Sequence, residues 1–154
     1  MEGIEIRLAY DVLEDIRDIF QEYTGSLQVN LDFQQYEDEL QELDKKYAMP
    51  QGRIYAAYVQ EKLAGCLAFH ALSEQDCEFK RLYVKPSFRG QKIAQQLMER
   101  AICDARKIGY CHVYLDTLAS LKAAIDLYEK IGFEQIPPYY ANPLPDVRYY
   151  KLNL

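Results

Sequence analysis

The chain has 154 residues, of which 49% are apolar and 27% are charged, and its formal net charge is −6. This length fits one domain spanning residues 1–154, and the apolar content is too high for a disordered chain. No apolar run approaches the roughly 18 residues that a membrane-spanning helix needs, and the N-terminus lacks the apolar block of a signal peptide. The acidic balance argues against a general nucleic-acid binder. We therefore expect a cytoplasmic protein that binds neither nucleic acid nor membrane.

The cysteines and histidines predict no metal site. Four cysteines are scattered along the chain: Cys66, Cys77, Cys103 and Cys111. They form no CxxC pair and have no histidine at metal-ligand spacing, so we predict that they are small buried hydrophobic side chains. The two histidines, His70 and His112, lie within apolar stretches, where we expect core or sheet-lining side chains.

The first half of the chain predicts one strand, two helices and three consecutive strands. Apolar residues alternate with polar ones from Ile4 to Tyr10, as is typical of a half-buried strand. Helices are then predicted from Asp11 to Gly25 and from about Phe33 to Tyr47. The outer face of the second helix is acidic, and we interpret it as solvated surface: Glu37, Asp38, Glu39, Glu42 and Asp44. Three strands are predicted next: Arg53–Gln60, Lys62–Leu72 and Cys77–Val84.

The second half predicts alternating helices and strands. A helix spans Gln91 to Ile108 and is followed by a strand at His112–Leu118. A shorter helix ends at Gly132, and the last two strands are Phe133–Ile136 and Arg148–Leu154. The order βααβββαβαββ indicates an α/β arrangement whose first half is mostly antiparallel.

The charge pattern changes between Lys80 and Lys92. These 13 residues contain five basic residues and no acidic one: Lys80, Arg81, Lys85, Arg89 and Lys92. The segment ends a strand and enters a helix at Arg89-Gly90, where the partial positive charge of the helix end disfavours cations. An anion would explain this, because backbone N–H groups and cations would bind it together, and Gly90 has no side chain to hold the backbone away. The alternative is a solvated basic face with a turn glycine. Neither GxxxxGK[ST] nor GxGxxG occurs, so the residues predict a phosphate or pyrophosphate binder of unspecified class.

Two stretches resemble signatures of the GNAT superfamily of acyl-CoA-dependent N-acyltransferases. Residues 89–94, Arg-Gly-Gln-Lys-Ile-Ala, occupy the place of the family's Q/R-x-x-G-x-G/A pyrophosphate loop between a strand and a helix. Residues 123–133 resemble its second signature, a helix ending in Y-x-x-x-G-F. The element order also fits. The resemblance implies a GNAT-like three-layer fold with a central mixed, mostly antiparallel sheet of six to seven strands and about four flanking helices.

The resemblance also implies acetyl-CoA as co-substrate and assigns contacts to it. The residues that would contact the cofactor are Leu82, Tyr83, Val84, Arg89, Gly90, Gln91, Lys92, Ile93 and Ala94. Main-chain groups of Leu82 and Val84 would pair with the pantetheine amides, where two parallel strands splay apart, and the loop amides would bind the pyrophosphate. Two residues depart from the family pattern, because Lys92 replaces a loop glycine and Leu121 replaces a frequent asparagine.

Two residues are predicted to carry the chemistry. The resemblance assigns Tyr128 as the acid that protonates the departing thiolate, whereas its place on an apolar helix face favours a core residue. Glu78 lies where the family often has a carboxylate base, and a partly apolar cleft would raise its pKa. Alternatively, Glu78 pairs with Lys80 or with a cation on the neighbouring strand.

The resemblance predicts an N-acetyltransferase in which a primary amine of a small molecule or peptide attacks acetyl-CoA directly in a ternary complex. The alternative is a non-catalytic CoA-binding sensor or partner module, and the resemblance is compatible with a homodimer. The acidic second helix and residues 74–76 favour a cationic acceptor such as a polyamine, an amino acid or a protein N-terminus. The proline-rich loop carrying Tyr139 and Tyr140 either covers the acceptor pocket or is simply a stiff connection.

Overall fold

The computed structural model describes residues 3–27 and 35–154. In these ranges seven strands form one sheet: β1 (Ile4–Leu8), β2 (Arg53–Val59), β3 (Lys62–Ala71), β4 (Asp76–Val84), β5 (His112–Leu118), β6 (Glu134–Ile136) and β7 (Val147–Asn153). The helices are α1 (Leu13–Leu27), α2 (Tyr36–Gln41), α3 (Leu43–Lys46), α4 (Ile93–Ile108) and α5 (Lys122–Ile131). The spatial order is β1-β2-β3-β4-β5-β7-β6, and the pair β4–β5 is parallel while the other described pairs are antiparallel.

Helices cover both faces of the sheet, which gives three layers. On one face α4 and α5 pack on the sheet through a cluster that includes Phe79, Leu97, Met98, Val113 and Ile125. On the other face α1, α2 and α3 pack through a cluster that includes Phe20, Leu40, Leu43, Ile54 and Ala68. The predicted three-layer α/β fold with a mixed, mostly antiparallel sheet is therefore confirmed.

The strands agree with the sequence prediction to within two residues at each end, and the first two helices depart from it. Helix α1 continues through Gly25 to Leu27, because nothing at that glycine imposes a left-handed turn. The predicted second helix is two short helices separated by Glu42, whose φ of −130° and ψ of 46° are not helical. Its predicted start at Phe33 lies outside the described residues.

Glu39 is buried, so the prediction that it belongs to a solvated acidic face is wrong. Arg81 donates two hydrogen bonds of 2.9 Å to the Glu39 carboxylate, and Lys46 makes a third contact with it, also at 2.9 Å. Burial raises the pKa of Glu39, but the bonds from Arg81 and the charge of Lys46 outweigh burial and lower the pKa to about 2. This network ties α2 and α3 to strand β4.

The cysteines divide into two classes. Cys66 and Cys77 are buried as predicted, but Cys103 and Cys111 are exposed, so the prediction is wrong for these two. All four are free thiols. The described residues contain no group of three or more side chains placed to hold a metal ion. None of the helices described here is long and apolar enough to cross a membrane.

Candidate active site

Strands β4 and β5 part in the middle of the sheet. Their parallel pairing ends at Glu78↔Tyr114, while β4 continues to Val84. The amide of Lys85 donates to the Ala64 carbonyl on the β3 side. Because backbone groups alternate in direction along a strand, the main-chain groups of Leu82 and Val84 point away from β3, into the gap. The expected splay of the parallel pair is therefore confirmed.

A β-bulge lies beside this gap. Ala68 pairs with Lys80 and Cys66 pairs with Tyr83, so β4 contains one residue more than β3 between these pairs. Arg81 takes the left-handed conformation at φ 67°, which a non-glycine residue seldom adopts. The buried ion pair with Glu39 holds Arg81 in this place. No sequence pattern predicted the bulge.

A cleft of about 650 Å³ opens at the gap. Its walls come from the end of α1, the end of β4, the start of α4 and the start of α5: Tyr23, Ser26, Leu27, Leu82, Tyr83, Val84, Phe88, Arg89, Gly90, Lys92, Ile93, Ala94, Gln95, Ser120, Leu121, Lys122, Ala123, Ala124 and Leu127. Every predicted cofactor residue except Gln91 lines this cleft. Sequence reasoning missed the α1 wall, because Tyr23 lay inside a predicted helix and Ser26 and Leu27 lay beyond the predicted end of that helix at Gly25.

The N-terminus of α4 faces the cleft with its amides uncapped. The residue before the helix, Lys92, makes no side-chain capping bond, and the first turn contains no acid. Gly90 has φ 85°, and a Cβ there would meet no atom within 4 Å. The glycine is therefore needed for its backbone conformation rather than to avoid another atom of the protein. Lys92 also has a positive φ, of 63°, a conformation that glycine adopts more readily than lysine.

The five basic residues of the segment do not form a single anion site. Three have acidic partners, since Arg81 binds Glu39, Lys80 lies 3.8 Å from Glu78, and Lys85 lies 3.7 Å from Glu22. No carboxylate described in the structure comes within ion-pair distance of the other two, Arg89 and Lys92. The Arg89 side chain instead donates from Nε to the Val84 carbonyl at 3.0 Å. Two cations and the helix amides thus remain for an anion.

Tyr128 lies in the core beside the cleft. It is 7% exposed, and its ring packs against Phe133 and Tyr150 at centroid distances of 5.8 and 6.3 Å. It is absent from the cleft walls, as its place on the apolar stripe of α5 predicts. Burial raises the pKa of Tyr128, and the nearby Tyr23 and Asp116 raise it further, so its hydroxyl is protonated at neutral pH.

A second pocket of about 520 Å³ lies on the sheet face that carries α1 to α3. It is lined by Lys46, His70, Leu72, Asp76, Glu78, Lys80, Tyr114, Tyr139 and Tyr140. Its floor is formed by Asp76, Glu78 and Lys80, which lie on one face of β4 because side chains alternate along a strand. Both tyrosines of the proline-rich loop line this pocket.

Glu78 is bound by several neighbours. His70 pairs with it across the strands at 2.8 Å, and the Tyr139 hydroxyl donates to its other oxygen at 2.6 Å. Burial raises the pKa of Glu78, but the His70 bond, the Lys80 charge and the Tyr139 bond outweigh burial and lower the pKa to about 2. The expectation of a raised pKa is therefore wrong, and the alternative of pairing with Lys80 and a cross-strand partner matches the contacts. A base role for Glu78 remains a prediction.

Sequence reasoning missed Asp116 on β5. The Tyr140 hydroxyl donates to its Oδ2, and Asn142 approaches the same oxygen at 3.4 Å. Asp116 shares its face of β5 with His112 and Tyr114, opposite the buried Val113 and Leu115 of the α4 face. A signal was present, because an ionisable residue inside an alternating strand must face away from the core.

Comparisons with known proteins agree on one family. The model of the Acetyltransferase (GNAT) family matches residues 13–133. A Schizosaccharomyces pombe protein described as an uncharacterized N-acetyltransferase is 38% identical over 151 residues, which cover 97% of this chain and 92% of that relative. An acetyltransferase from Streptococcus agalactiae has the same fold, with a TM-score of 0.79, 24% identity and full coverage of both chains. The PaiA N-acetyltransferase of Thermoplasma acidophilum, solved with coenzyme A, superposes with a TM-score of 0.74 at 20% identity, over 98% of this chain and 99% of that one.

Proposed function

Because the chain belongs to the Acetyltransferase (GNAT) family, we propose that it transfers an acetyl group from acetyl-CoA to a primary amine of a small molecule or peptide. One observation carries the proposal. Consecutive parts of strand β4 line two pockets, since Leu82 to Val84 line the cleft, while Asp76, Glu78 and Lys80 line the second pocket. The gap beside β4 lies between them, so a thioester in the cleft and an amine in the pocket would meet there.

The cleft supports acetyl-CoA as the donor. The uncapped amides of α4, with Arg89 and Lys92, suit a diphosphate, because N–H groups, helix dipole and cations all favour an anion. The main-chain groups of Leu82 and Val84 that point away from β3 suit the amides of the pantetheine arm. Arg89 would then exchange the Val84 carbonyl for a phosphate oxygen. The coenzyme A bound to the PaiA enzyme, which has the same fold, also supports this donor.

The proposed reaction is a direct attack in a ternary complex. The amine nitrogen bonds to the thioester carbon while the carbon–sulfur bond breaks, and the amine loses one proton as the thiolate gains one. A backbone amide of β4 beside the bulge would stabilise the charge on the carbonyl oxygen. Glu78 is the proposed acceptor of the amine proton. With a pKa of about 2 it attracts an ammonium group well and holds a proton weakly, so proton removal would limit the rate at neutral pH.

Tyr128 is the proposed donor of the proton to the thiolate, and the variant Tyr128→Phe tests it. We expect acetyl transfer to fall by roughly 10²-fold with little change in CoA affinity, as is usual for loss of a general acid. Tyr110→Phe is the control, because Tyr110 is a buried tyrosine that bonds to the Gln51 carbonyl and lines neither pocket. Equal loss of stability in the two variants without loss of transfer would support a core role for Tyr128.

The alternative is a CoA-binding module without turnover, which the burial of Tyr128 outside the cleft walls favours. Both hypotheses predict CoA binding, so the test must measure release of the CoA thiol across a panel of amines. The proposal predicts steady release that depends on the amine. Tight acetyl-CoA binding without release for any amine would favour the module.

A further inference from the structure

The hydroxyl of Tyr139 covers one oxygen of Glu78 in the second pocket. Glu78 is buried, and its Oε1 is contacted from within the sheet, by His70 at 2.8 Å and by the Lys80 Nζ at 3.8 Å. Its Oε2 accepts the 2.6 Å bond from Tyr139, which belongs to the loop that follows β6. Tyr139 is only partly buried and lines the pocket. An amine in the pocket would therefore find Oε2 already bonded to a hydroxyl that lines the same pocket.

The ring of Tyr139 is held in place by its neighbours. It packs against the rings of Tyr114, Tyr140 and Tyr149 at centroid distances of 5.1, 5.3 and 5.5 Å. Two consecutive prolines precede it, and proline restricts the backbone of the loop because it fixes its own φ. We therefore expect the hydroxyl to stay on Glu78 when an amine binds.

Tyr139 also lies at the point where β4 and β5 part. Glu78 and Tyr114 are the last paired residues of these two strands. Tyr139 contacts both of them, Glu78 through its hydroxyl and Tyr114 through its ring. The gap that holds the proposed thioester opens directly beyond this pair. Tyr139 is therefore beside the place where the thioester would meet an amine.

The Tyr139 hydroxyl can receive a proton from a ligand while it gives its own to Glu78. A hydroxyl has one proton to donate and two lone pairs with which to accept, and here the proton is donated to Glu78. The carboxylate polarises the hydroxyl, which makes its oxygen a stronger acceptor. Burial and the charges of Glu78 and Asp116 raise the pKa of Tyr139, so the hydroxyl is protonated at neutral pH.

We propose that Tyr139 is a catalytic residue that relays the amine proton to Glu78. This inference rests on the proposed acetyl transfer and adds a residue to it. An ammonium group donates to the Tyr139 oxygen; as its N–H bond breaks, that oxygen takes the proton, and the proton of the hydroxyl passes to Glu78 Oε2. The electron pair of the N–H bond stays on nitrogen and forms the bond to the thioester carbon. Tyr139 ends the step as a neutral hydroxyl, and Glu78 ends it protonated.

Tyr139→Phe tests the relay, because it keeps the ring and removes the hydroxyl. We expect kcat/KM for the best amine to fall by roughly 10²-fold, as for loss of a group that transfers a proton. CoA affinity should not change, because Tyr139 does not line the cleft. Tyr149→Phe is the matched control and should leave transfer nearly unchanged, because its ring belongs to the same cluster but lines neither pocket. An unchanged or increased kcat/KM in folded Tyr139→Phe would overturn the inference, since the amine would then reach Glu78 directly.

The double variant distinguishes a relay from two separate effects. Members of one proton chain act as a unit, so Tyr139→Phe should cost little in a protein that already carries Glu78→Gln. If the losses of the two single variants instead multiply in the double variant, the two residues act independently and the relay is refuted.

A measurement on the unchanged protein decides if Tyr139→Phe fails to fold. Proton removal is proposed to limit the rate, and the relay moves two protons in that step. We therefore expect kcat/KM to fall along a curve as the deuterium fraction of the solvent rises, whereas a single transfer gives a straight line. A straight line would overturn the relay alone. No thiol release from any amine would overturn the proposed function and the relay together, so the two failures give different results.

Discussion

Lys92 offers a quantitative test of the phosphate loop, because its backbone and its charge have opposite effects. At φ 63° a residue with a Cβ costs roughly 1–2 kcal/mol, and glycine avoids this cost. Glycine also gives the unfolded chain about 0.4–1 kcal/mol of additional freedom. Lys92→Gly should therefore raise the free energy of unfolding by about 1 kcal/mol relative to Lys92→Ala, which keeps the Cβ. In a chain of this length that difference corresponds to roughly 2–4 °C in Tm.

The same pair of variants isolates the charge. Both Lys92→Gly and Lys92→Ala remove a cation that has no acidic partner among the described residues, at the end of a helix that lacks an acid in its first turn. Each should weaken CoA binding roughly tenfold at low ionic strength, and the loss should shrink in high salt because exposed charges are screened.

Urea unfolding without ligand measures the first effect, and calorimetric titration of CoA at two salt concentrations measures the second. Equal stability of the glycine and alanine variants would refute the strain at Lys92. A loss of CoA affinity that does not change with salt would refute a charge contact with the diphosphate. Lys107→Ala, in the last turn of the same helix, is the control for removing a lysine, and it should leave CoA affinity unchanged.

Two further predictions concern the buried carboxylates. The folded pKa of Glu39 is about 2, below the usual value in unfolded chains, so its contribution of about 3 kcal/mol is complete above pH 4.5 and is lost as the pH falls toward 2. Glu39→Gln should remove this acid dependence in urea unfolding at several pH values, whereas the exposed Glu37→Gln should keep it. The pKa of Glu78 is also about 2, so Glu78→Gln should lower kcat/KM without moving the neutral limb of its pH profile. If the neutral limb of the kcat/KM profile disappears in Glu78→Gln, Glu78 itself titrates at neutral pH, which would contradict this prediction.

The cleft was predictable from sequence because its signals are local. The basic residues, Gly90 and the start of α4 lie within a few positions of one another, and the motif orders them between a strand and a helix. Helix-end physics and the GNAT resemblance therefore pointed to the cleft walls that the structure has. Lys92 departs from the motif by residue type only, since its backbone takes the conformation that a glycine would take.

The second pocket was not predictable, because it depends on contacts between distant residues. Glu39 reaches Arg81 across 42 positions of the chain, and Tyr139 reaches Glu78 across 61. These contacts reverse the expected pKa shift of Glu78 and bury a carboxylate that the helical pattern placed in solvent. Whether a carboxylate is buried and paired depends on how the helices and the sheet pack together, and the spacing of apolar residues in the sequence does not show this.

The bulge at Arg81 shifts the alternation of β4 by one residue, so that different positions face each side of the sheet before and after it. Before it, even-numbered residues such as Glu78 face α1, and after it the odd-numbered Tyr83 does. One strand thus has two patterns of side-chain alternation, one before the bulge that lines the second pocket and one after it that lines the cleft. Substitutions before the bulge can therefore change the second pocket without changing the cleft. Deletion of one residue at the bulge would instead move the side chains of Leu82, Tyr83 and Val84 to the opposite faces of the sheet.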